Sequence, residues 1–384
     1  MSIESKLPHV GTTIFTIMSK LAAEQGALNL SQGFPGFDCS PELIQLAEKY
    51  LRTGHNQYAP MTGALPLREA LAQKTKRMYG KGYDPEAEIT ITSGATEALF
   101  AAATAVIQRG DEVLVFEPAY DSYLPAIELN GGIPVYITLE APAFAIDWER
   151  VRTKITDRTR LIFVNTPHNP TGYVWTQADI QTLADLVAER NLFIIADEVY
   201  EHITFDNREH VSLATHPILR ERTFVCSSFG KTFHVTGWKV GYCLAPVALS
   251  AEFRKIHQYL TFSTVTPIQY ALADYLTKSE HYESVSGFYQ RKRNHFLSHL
   301  EGFAFTPAQG TFFQNLSFDG LSEEGDNDLA VRLTKEIKVA SIPLSVFYHK
   351  KNDPQLLRFC FAKEDEMLAR AAERLSEWAY RIRR

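Results

Sequence analysis

The sequence predicts an α/β fold in which a mainly parallel sheet of seven strands is covered by helices, with an α+β cap formed by the flanking segments. Three observations carry this. Seven short apolar runs fall between residues 88 and 245. Stretches with apolar spacing near 3.6 separate several of them, the sequence form of a sheet sandwiched by helices. After residue 267 the pattern changes to long helical segments mixed with isolated strand-like runs.

In chain order the runs are EITIT (88–92), DEVLVF (111–116), IPVYI (133–137), RLIFVN (160–165), NLFIIAD (191–197), TFVCS (223–227) and KVGYCLA (239–245). Each is short, apolar and β-branched or aromatic, as strands buried on both faces are. TEALFAAATAVIQ (96–108) follows the first run and QADIQTLADLVAER (177–190) follows the fourth, both with helical periodicity. Residues 267–300 read as one long helix, and GTFFQNLS (310–317) and QLLRFCFA (355–362) read as strands of the cap. No internal repeat, low-complexity tract or linker interrupts the chain.

Composition narrows the function class. The 384 residues are 45% hydrophobic, enough for one large or two moderate domains, and the net charge is −6 without long blocks of one sign. Neither nucleic acid nor an anionic membrane surface is an expected partner, and small-molecule work is favoured. No run approaches the roughly 18 apolar residues of a membrane span. The N-terminal segment has an early acid and no apolar stretch of the signal-peptide kind. Cys39, Cys226, Cys243 and Cys360 are scattered, without C-x-x-C or metal-like pairing with histidine. A reducing, cytoplasmic setting is expected.

Ligands of open α/β sheets bind at the carboxyl ends of the strands, so the residues just after each run are the candidates. After EITIT comes Ser93-Gly94-Ala95-Thr96 and then a helix, whose free N–H groups and positive dipole end suit an anion. After DEVLVF comes Tyr120, either a core tyrosine or an aromatic face for a flat ligand. TPHNPTG follows RLIFVN as a turn, with Asn169 able to point its amide at a ligand oxygen. NLFIIAD ends in Asp197, a carboxylate that is costly to bury without a protonated partner. TFVCS leads into SSFGKTFHVTGWKVGY (227–242), which sets Lys231 at a strand end and Lys239 at the start of the next run. A lysine in a partly dry, cationic neighbourhood loses its proton near neutral pH and becomes a nucleophile toward an aldehyde. Lys239 instead suits a point charge for a phosphate.

Gly230-Lys231-Thr232 mimics the tail of a P-loop, yet Val225 stands where the first glycine belongs and no phosphate-wrapping glycines precede it. No G-x-G-x-x-G follows a strand either. An aldehyde-reactive lysine, an anion site, an aromatic cover, a donor for a ring oxygen and a carboxylate for a ring nitrogen together suit pyridoxal phosphate. The chain resembles the fold-type I pyridoxal phosphate enzymes of the aspartate aminotransferase family, near the kynurenine and methionine aminotransferase branch. The resemblance rests on NLSQGFPGF (29–37), NQYAPMTGALPLREA (56–70), ITSGATEAL (91–99), NTPHNPTG (165–172), DEVY (197–200), SSFGKTFHVTGWKVGY and LRFCFA (357–362), nearly end to end and in this order.

The resemblance implies a role for each candidate residue. By it, Lys231 is the Schiff-base lysine and the carrier of the α-proton. Asp197 keeps the pyridine nitrogen protonated, Asn169 and Tyr200 hydrogen-bond the ring hydroxyl oxygen, and Tyr120 stacks on the ring. Ala95, Thr96, Ser228 and Lys239 hold the phosphate, joined by Tyr58 from a second subunit, so a homodimer is part of the implied site. The family usually has arginine where this chain has Lys239; lysine keeps the charge and loses the bidentate fork. Arg358, again by resemblance, grips the substrate α-carboxylate as a bidentate pair. Gly33 lets the backbone approach the substrate. The implied division is an N-terminal arm at 1–40, a large cofactor-binding domain at 41–275 and a small domain at 276–384, with the small domain drawing on both chain ends.

Gln258 to Thr277 contains no Arg, Lys or His, so no cation is expected there for a second substrate carboxylate. Phe15, Phe34, Tyr58 and Phe262 are candidate walls of an apolar pocket. The expected activity is transfer of the amino group of methionine and aromatic L-amino acids to a 2-oxo acid. A carbon–sulfur β-lyase sharing the cofactor, and a catalytically silent regulatory relative, are the alternatives.

Overall fold

The computed structural model describes residues 3–350 and 352–384. Twelve strands run through the described residues: β1 (Leu28–Asn29), β2 (Ile89–Thr92), β3 (Glu112–Glu117), β4 (Ile133–Thr138), β5 (Thr159–Asn165), β6 (Phe193–Asp197), β7 (Thr223–Ser228), β8 (Gly241–Leu244), β9 (Phe313–Ser317), β10 (Val339–Ala340), β11 (Ile342–Pro343) and β12 (Leu356–Cys360). Seven of them form one sheet in the order β2-β8-β7-β6-β5-β3-β4. All seven runs expected as strands are in it. Neighbours from β4 through β7 are parallel, and β8 is antiparallel to both β2 and β7. The reversal has a local cause. Phe229–Val240, which joins β7 to β8, holds only one α-helical turn and one 3₁₀ turn, too little for the helical crossover a parallel neighbour needs.

Successive residues of a strand point to opposite faces, and both faces here are apolar. Leu161 and Phe163 join Val113, Val115, Ile195 and Phe224 on one face, under helices Gly94–Val106 and Val247–Leu260. Ile162 and Val164 join Leu114, Phe116, Ile194 and Val225 on the other, with Ile180, Leu183 and Val187 of helix Gln177–Ala188. That helix starts at a capping box in which Thr176 and Asp179 satisfy each other's backbone N–H groups.

A second, antiparallel sheet, β11-β12-β9, is accompanied by helices Val285–Ser298, Asp326–Glu336 and Asp365–Ile382. The N-terminal segment reaches this part of the molecule: β1 pairs parallel with β10, and Cys360 N donates to Leu30 O at 2.8 Å. Residues 267–300 are not one helix. They divide into Thr266–Leu276, Glu280–Glu283 and Val285–Ser298. At the first break Thr277 Oγ1 donates to Asp274 O, and at the second Ser284 Oγ donates to Glu280 O; such hydroxyls compete with the helical ladder.

Candidate active site

The carboxyl ends of β5, β6 and β7 lie side by side, with Asn165 opposite Asp197 and Asp197 opposite Cys226. Above them opens a cavity of about 300 Å³, lined also by the start of helix Gly94–Val106, by Gly33 of the N-terminal segment and by Arg358 of β12. The candidate residues predicted from the sequence line it, with two exceptions: Tyr58 and Phe262 lie outside and pack edge-on against each other at 5.3 Å, with Tyr58 81% exposed. Phe262 is therefore not a wall of this cavity in the single chain, because its ring is turned to Tyr58 at the surface.

Asp197 ends β6 almost fully buried. Tyr123 Oη donates to its Oδ2 at 2.6 Å and Val199 N to its Oδ1 at 3.3 Å. Burial pushes the carboxyl up to about 6, against those two donors and the nearby Lys231 charge, which favour the ionised form. Lys231 sits in helical turn Phe229–Thr232, directly after β7. Its Nζ donates to Gly33 O at 2.9 Å and lies 5.8 Å from the Tyr200 ring centre. Burial, helped by the positive charges of Arg358 and Lys239, pulls this amine down to about 8, while Asp197 pulls the other way. Near neutrality a useful fraction of it is an unprotonated nucleophile.

The anion cradle is built from backbone. Ser93 caps helix Gly94–Val106 without a side-chain hydrogen bond to its first turn, so the N–H groups of Ala95 and Thr96 are not taken by a cap. Gly94 adopts φ +75°, and a Cβ there would stand 3.3 Å from Lys239 Nζ. A Cβ on Gly241 would meet Gly94 C and Ala95 N at 2.7 and 2.8 Å, so β8 packs directly beneath this turn only as glycine. Lys239 itself is in the left-handed region at φ 54°. Ser228 Oγ accepts from Gly230 N at 3.0 Å.

Arg358 is the largest fully buried side chain described. Its Nη1 donates to Asn169 Oδ1 at 2.8 Å, its Nη2 reaches Ser31 O at 3.5 Å, and its Nε has no partner among the described residues. The guanidinium lies 4.0 Å from the Phe313 ring centre and 5.3 Å from that of Phe15. Burial pulls it down to about 10, and among the described residues no carboxylate comes within ion-pair distance. A buried guanidinium without an acid is costly, and a ligand carboxylate is the partner that fits it. Tyr200, packed edge-on against Phe312 and Phe313, is held well above the usual phenol range by burial. Tyr120 is raised to about 12, again by burial and by the nearby charges of Asp121 and Asp197.

Sequence reasoning missed several residues of this cavity and its support, Tyr123, Asn165 and Phe313 among them. Tyr123 is the donor to Asp197; it lies in the stretch EPAYDSY, three residues after Tyr120. Asn165 closes β5 as Asp197 closes β6, and the same strand-end rule would have found it. Its Oδ1 accepts from Asn169 N at 2.7 Å and its Nδ2 donates to Asp197 O at 2.8 Å, which fixes the turn carrying Asn169. Phe313 opens β9 within the predicted strand GTFFQNLS, and nothing local says that its ring meets Arg358.

Comparison with known proteins agrees with this geometry. The family model for aminotransferase class I and II matches residues 25–375. The methionine aminotransferase of Escherichia coli (strain K12) is 50% identical over 377 residues, covering 97% of this chain and 98% of that one. A crystal structure from Escherichia coli, described as identifying a methionine aminotransferase function, superposes with a TM-score of 0.96 at 50% identity over 98% of this chain and 100% of that one. The kynurenine–oxoglutarate transaminase of Dictyostelium discoideum is 34% identical over 410 residues, covering 95% and 94% of the two chains. The chain belongs to the class I and II aminotransferase family. It is an enzyme of amino-group transfer, and neither the lyase nor the silent regulatory alternative is needed.

Proposed function

We propose that the cavity binds pyridoxal 5'-phosphate and that the enzyme moves the amino group of methionine and aromatic L-amino acids to a 2-oxo acid. The observation that carries this is one cavity holding a desolvated lysine amine, a buried strand-end carboxylate and a buried arginine without an acid. The donor set fits the cofactor: a helix start and the Lys239 ammonium for its phosphate, a carboxylate for its ring nitrogen, an amine for its aldehyde. When bound, the cofactor supplies an electrophilic carbonyl and a ring that accepts the electrons released at the substrate α-carbon.

The protein does the rest. Lys231, unprotonated in part near neutral pH, would hold the cofactor through its aldehyde carbon and would take and return the proton at the substrate α-carbon. Asp197 would hold the ring nitrogen, while the donors Tyr123 and Val199 favour its ionised form. Asn169 and Tyr200 hold the ring oxygen, and Tyr120 covers one ring face. Ala95, Thr96, Ser228 and Lys239 hold the phosphate, with Tyr58 of a second copy completing the set, so the working form is a homodimer. Arg358 takes the substrate α-carboxylate, and Gly33 and Phe15 bound the space beside it. Among the described residues the only cations lining the cavity are Lys231, Lys239 and Arg358, each already assigned. This chain's own lining therefore offers no partner to a second substrate carboxylate, whereas Phe15, Phe34 and Phe313 suit thioether and aromatic side chains. The 50% identity to a methionine aminotransferase supports the same choice of donor. The four cysteines, all free, suit a cytoplasmic enzyme.

Product analysis tests the reaction type. With methionine and a 2-oxo acid, a new amino acid and the 2-oxo acid of methionine should form in equal amounts. Release of a thiol and ammonia instead would assign the chain to elimination chemistry.

A further inference from the structure

The segment between Leu30 and Gly36 forms one wall of the cavity through Gln32, Gly33 and Phe34. Its two ends are tied by backbone hydrogen bonds to the strand that carries Arg358 and its continuation: Cys360 N to Leu30 O and Gly36 N to Ala362 O, both 2.8 Å. Between these ties, three cationic side chains reach its carbonyl oxygens. Arg358 Nη2 lies 3.5 Å from Ser31 O, Lys231 Nζ donates to Gly33 O at 2.9 Å, and Lys363 Nζ donates to Phe34 O at 2.8 Å. The first two belong to the reaction. Lys363 does not line the cavity and has no part in the chemistry.

Lys363 is 4% exposed. No acid stands within ion-pair distance of it among the described residues. Its ammonium lies 5.0 Å from the ring centre of Phe34, so one residue of the wall receives it through both carbonyl and ring. Space is tight there: a Cβ on Gly36 would stand 3.0 Å from Lys363 Cδ. A buried ammonium without an acid is unfavourable unless its remaining partners are well placed. Here, among the described residues, those partners are the carbonyl and ring of Phe34.

We propose that Lys363 is a positioning residue that holds the Gln32–Phe34 wall while Lys231 and Arg358 are occupied by the reaction; this rests on the aminotransferase reading above. Once the Lys231 amine is engaged in covalent or proton-transfer work it cannot also donate to Gly33 O, and once Arg358 grips a carboxylate its weak reach to Ser31 O is given up. Lys363 is then the one cation still fastened to the wall. The wall borders the space that any substrate occupies, so its looseness raises KM for donors and acceptors alike and leaves the chemical step little changed.

The test is Lys363→Met, which keeps the length of the stem and removes the charge, with Lys363→Arg as the conservative control. Amide hydrogen exchange at residues 31–34 should be faster in the variant than in wild type, and the difference should be larger in cofactor-loaded protein than in unloaded protein, where Lys231 is free to hold Gly33. KM for methionine and for the 2-oxo acid should rise together, roughly ten-fold, as loss of a charged hydrogen bond implies. The visible spectrum of the bound cofactor and the melting temperature should stay as in wild type, and Lys363→Arg should recover most of the protection. Wild-type exchange and KM in Lys363→Met would overturn the proposal, as would faster exchange spread over the whole protein with a lowered melting temperature, the mark of a merely structural lysine. Where Lys363→Met does not fold, Lys363→Gln is read by the same criteria. If wild type itself fails to transaminate, the fault lies in the aminotransferase reading; the exchange comparison still judges Lys363.

Discussion

Burial and hydrogen bonding act in opposite directions at Asp197, and Tyr123 decides how far burial goes. Its phenol has burial of its own to offset, being held well above the usual range by desolvation and by the Asp197 charge, so it stays protonated and donates. Tyr123→Phe keeps the ring, which stacks on Phe163 at 5.0 Å, and removes the donor. The carboxyl then rises further above about 6. The acid limb of kcat/KM should move to higher pH and activity near neutrality should fall roughly ten-fold, with the fold unchanged; a pH profile matching wild type would remove Tyr123 from the machinery. The two lysines of SSFGKTFHVTGWKVGY separate in the same way. Lys231→Ala should lose transamination and the cofactor absorbance in the visible, whereas Lys239→Ala should load with cofactor and lose it faster on dilution. In wild type the rate of cofactor uptake should climb as pH rises through about 8, where Lys231 gives up its proton. Exchanged phenotypes, or uptake that slows over that range, would reverse the assignment of the two.

Single elements carry this chemistry because they are tied to one another beneath the site. Helix Leu65–Tyr79 sends Lys74 into the core, where Nζ meets Glu201 Oε1 at 2.6 Å, both side chains nearly inaccessible. Burial alone would raise Glu201, but Lys74, His202 and the Tyr242 hydroxyl outweigh it and hold the carboxyl well below its usual range. Glu201 follows Tyr200 directly, so the pair also fixes the turn after β6. Lys74→Met leaves that carboxylate buried and unpaired, which should destabilise the fold by about 3–5 kcal/mol; denaturant unfolding measures it, and a loss below about 1 kcal/mol would mean that Tyr79 and Tyr242 suffice. The elements of the central sheet were legible for a simple reason. Strands covered on both faces are continuous apolar runs, and helices between them keep a 3.6 spacing. Leu28–Asn29, Val339–Ala340 and Ile342–Pro343 are too short to show any period, and they form only because distant segments meet. The breaks at Thr277 and Ser284 were equally hidden, since isolated hydroxyl residues occur inside many helices. Tyr123 escaped notice because its partner is 74 positions away.

At the scale of the molecule, the single chain leaves large aromatic side chains exposed. Tyr58 is 81% exposed, Tyr259 87% and Phe262 42%, an arrangement that suits a subunit contact. A homodimer in which Tyr58 reaches the partner's phosphate site should sediment as two copies of a 43.4 kDa chain, and Tyr58→Phe should weaken cofactor retention without dissociating it. A monomer with full activity would contradict both. Most of the candidate residues share one cavity because they stand at strand ends, where the topology gathers them. Gly33 and Arg358 came from resemblance alone, since no local pattern says that residues 30 and 360 meet.

Substrate choice tests the aminotransferase reading most directly. A panel of amino acids mixed with purified, cofactor-loaded enzyme under single-turnover conditions, followed in the visible spectrum, ranks the donors by rate over concentration. Methionine and phenylalanine are expected to exceed aspartate by more than the roughly 10- to 200-fold that one methylene can supply, because a side-chain carboxylate would be buried without a cation. Arg358→Ala should lose all donors together, as the α-carboxylate is common to them. Aspartate reacting as fast as methionine and phenylalanine would contradict this assignment and require a further cation at the pocket.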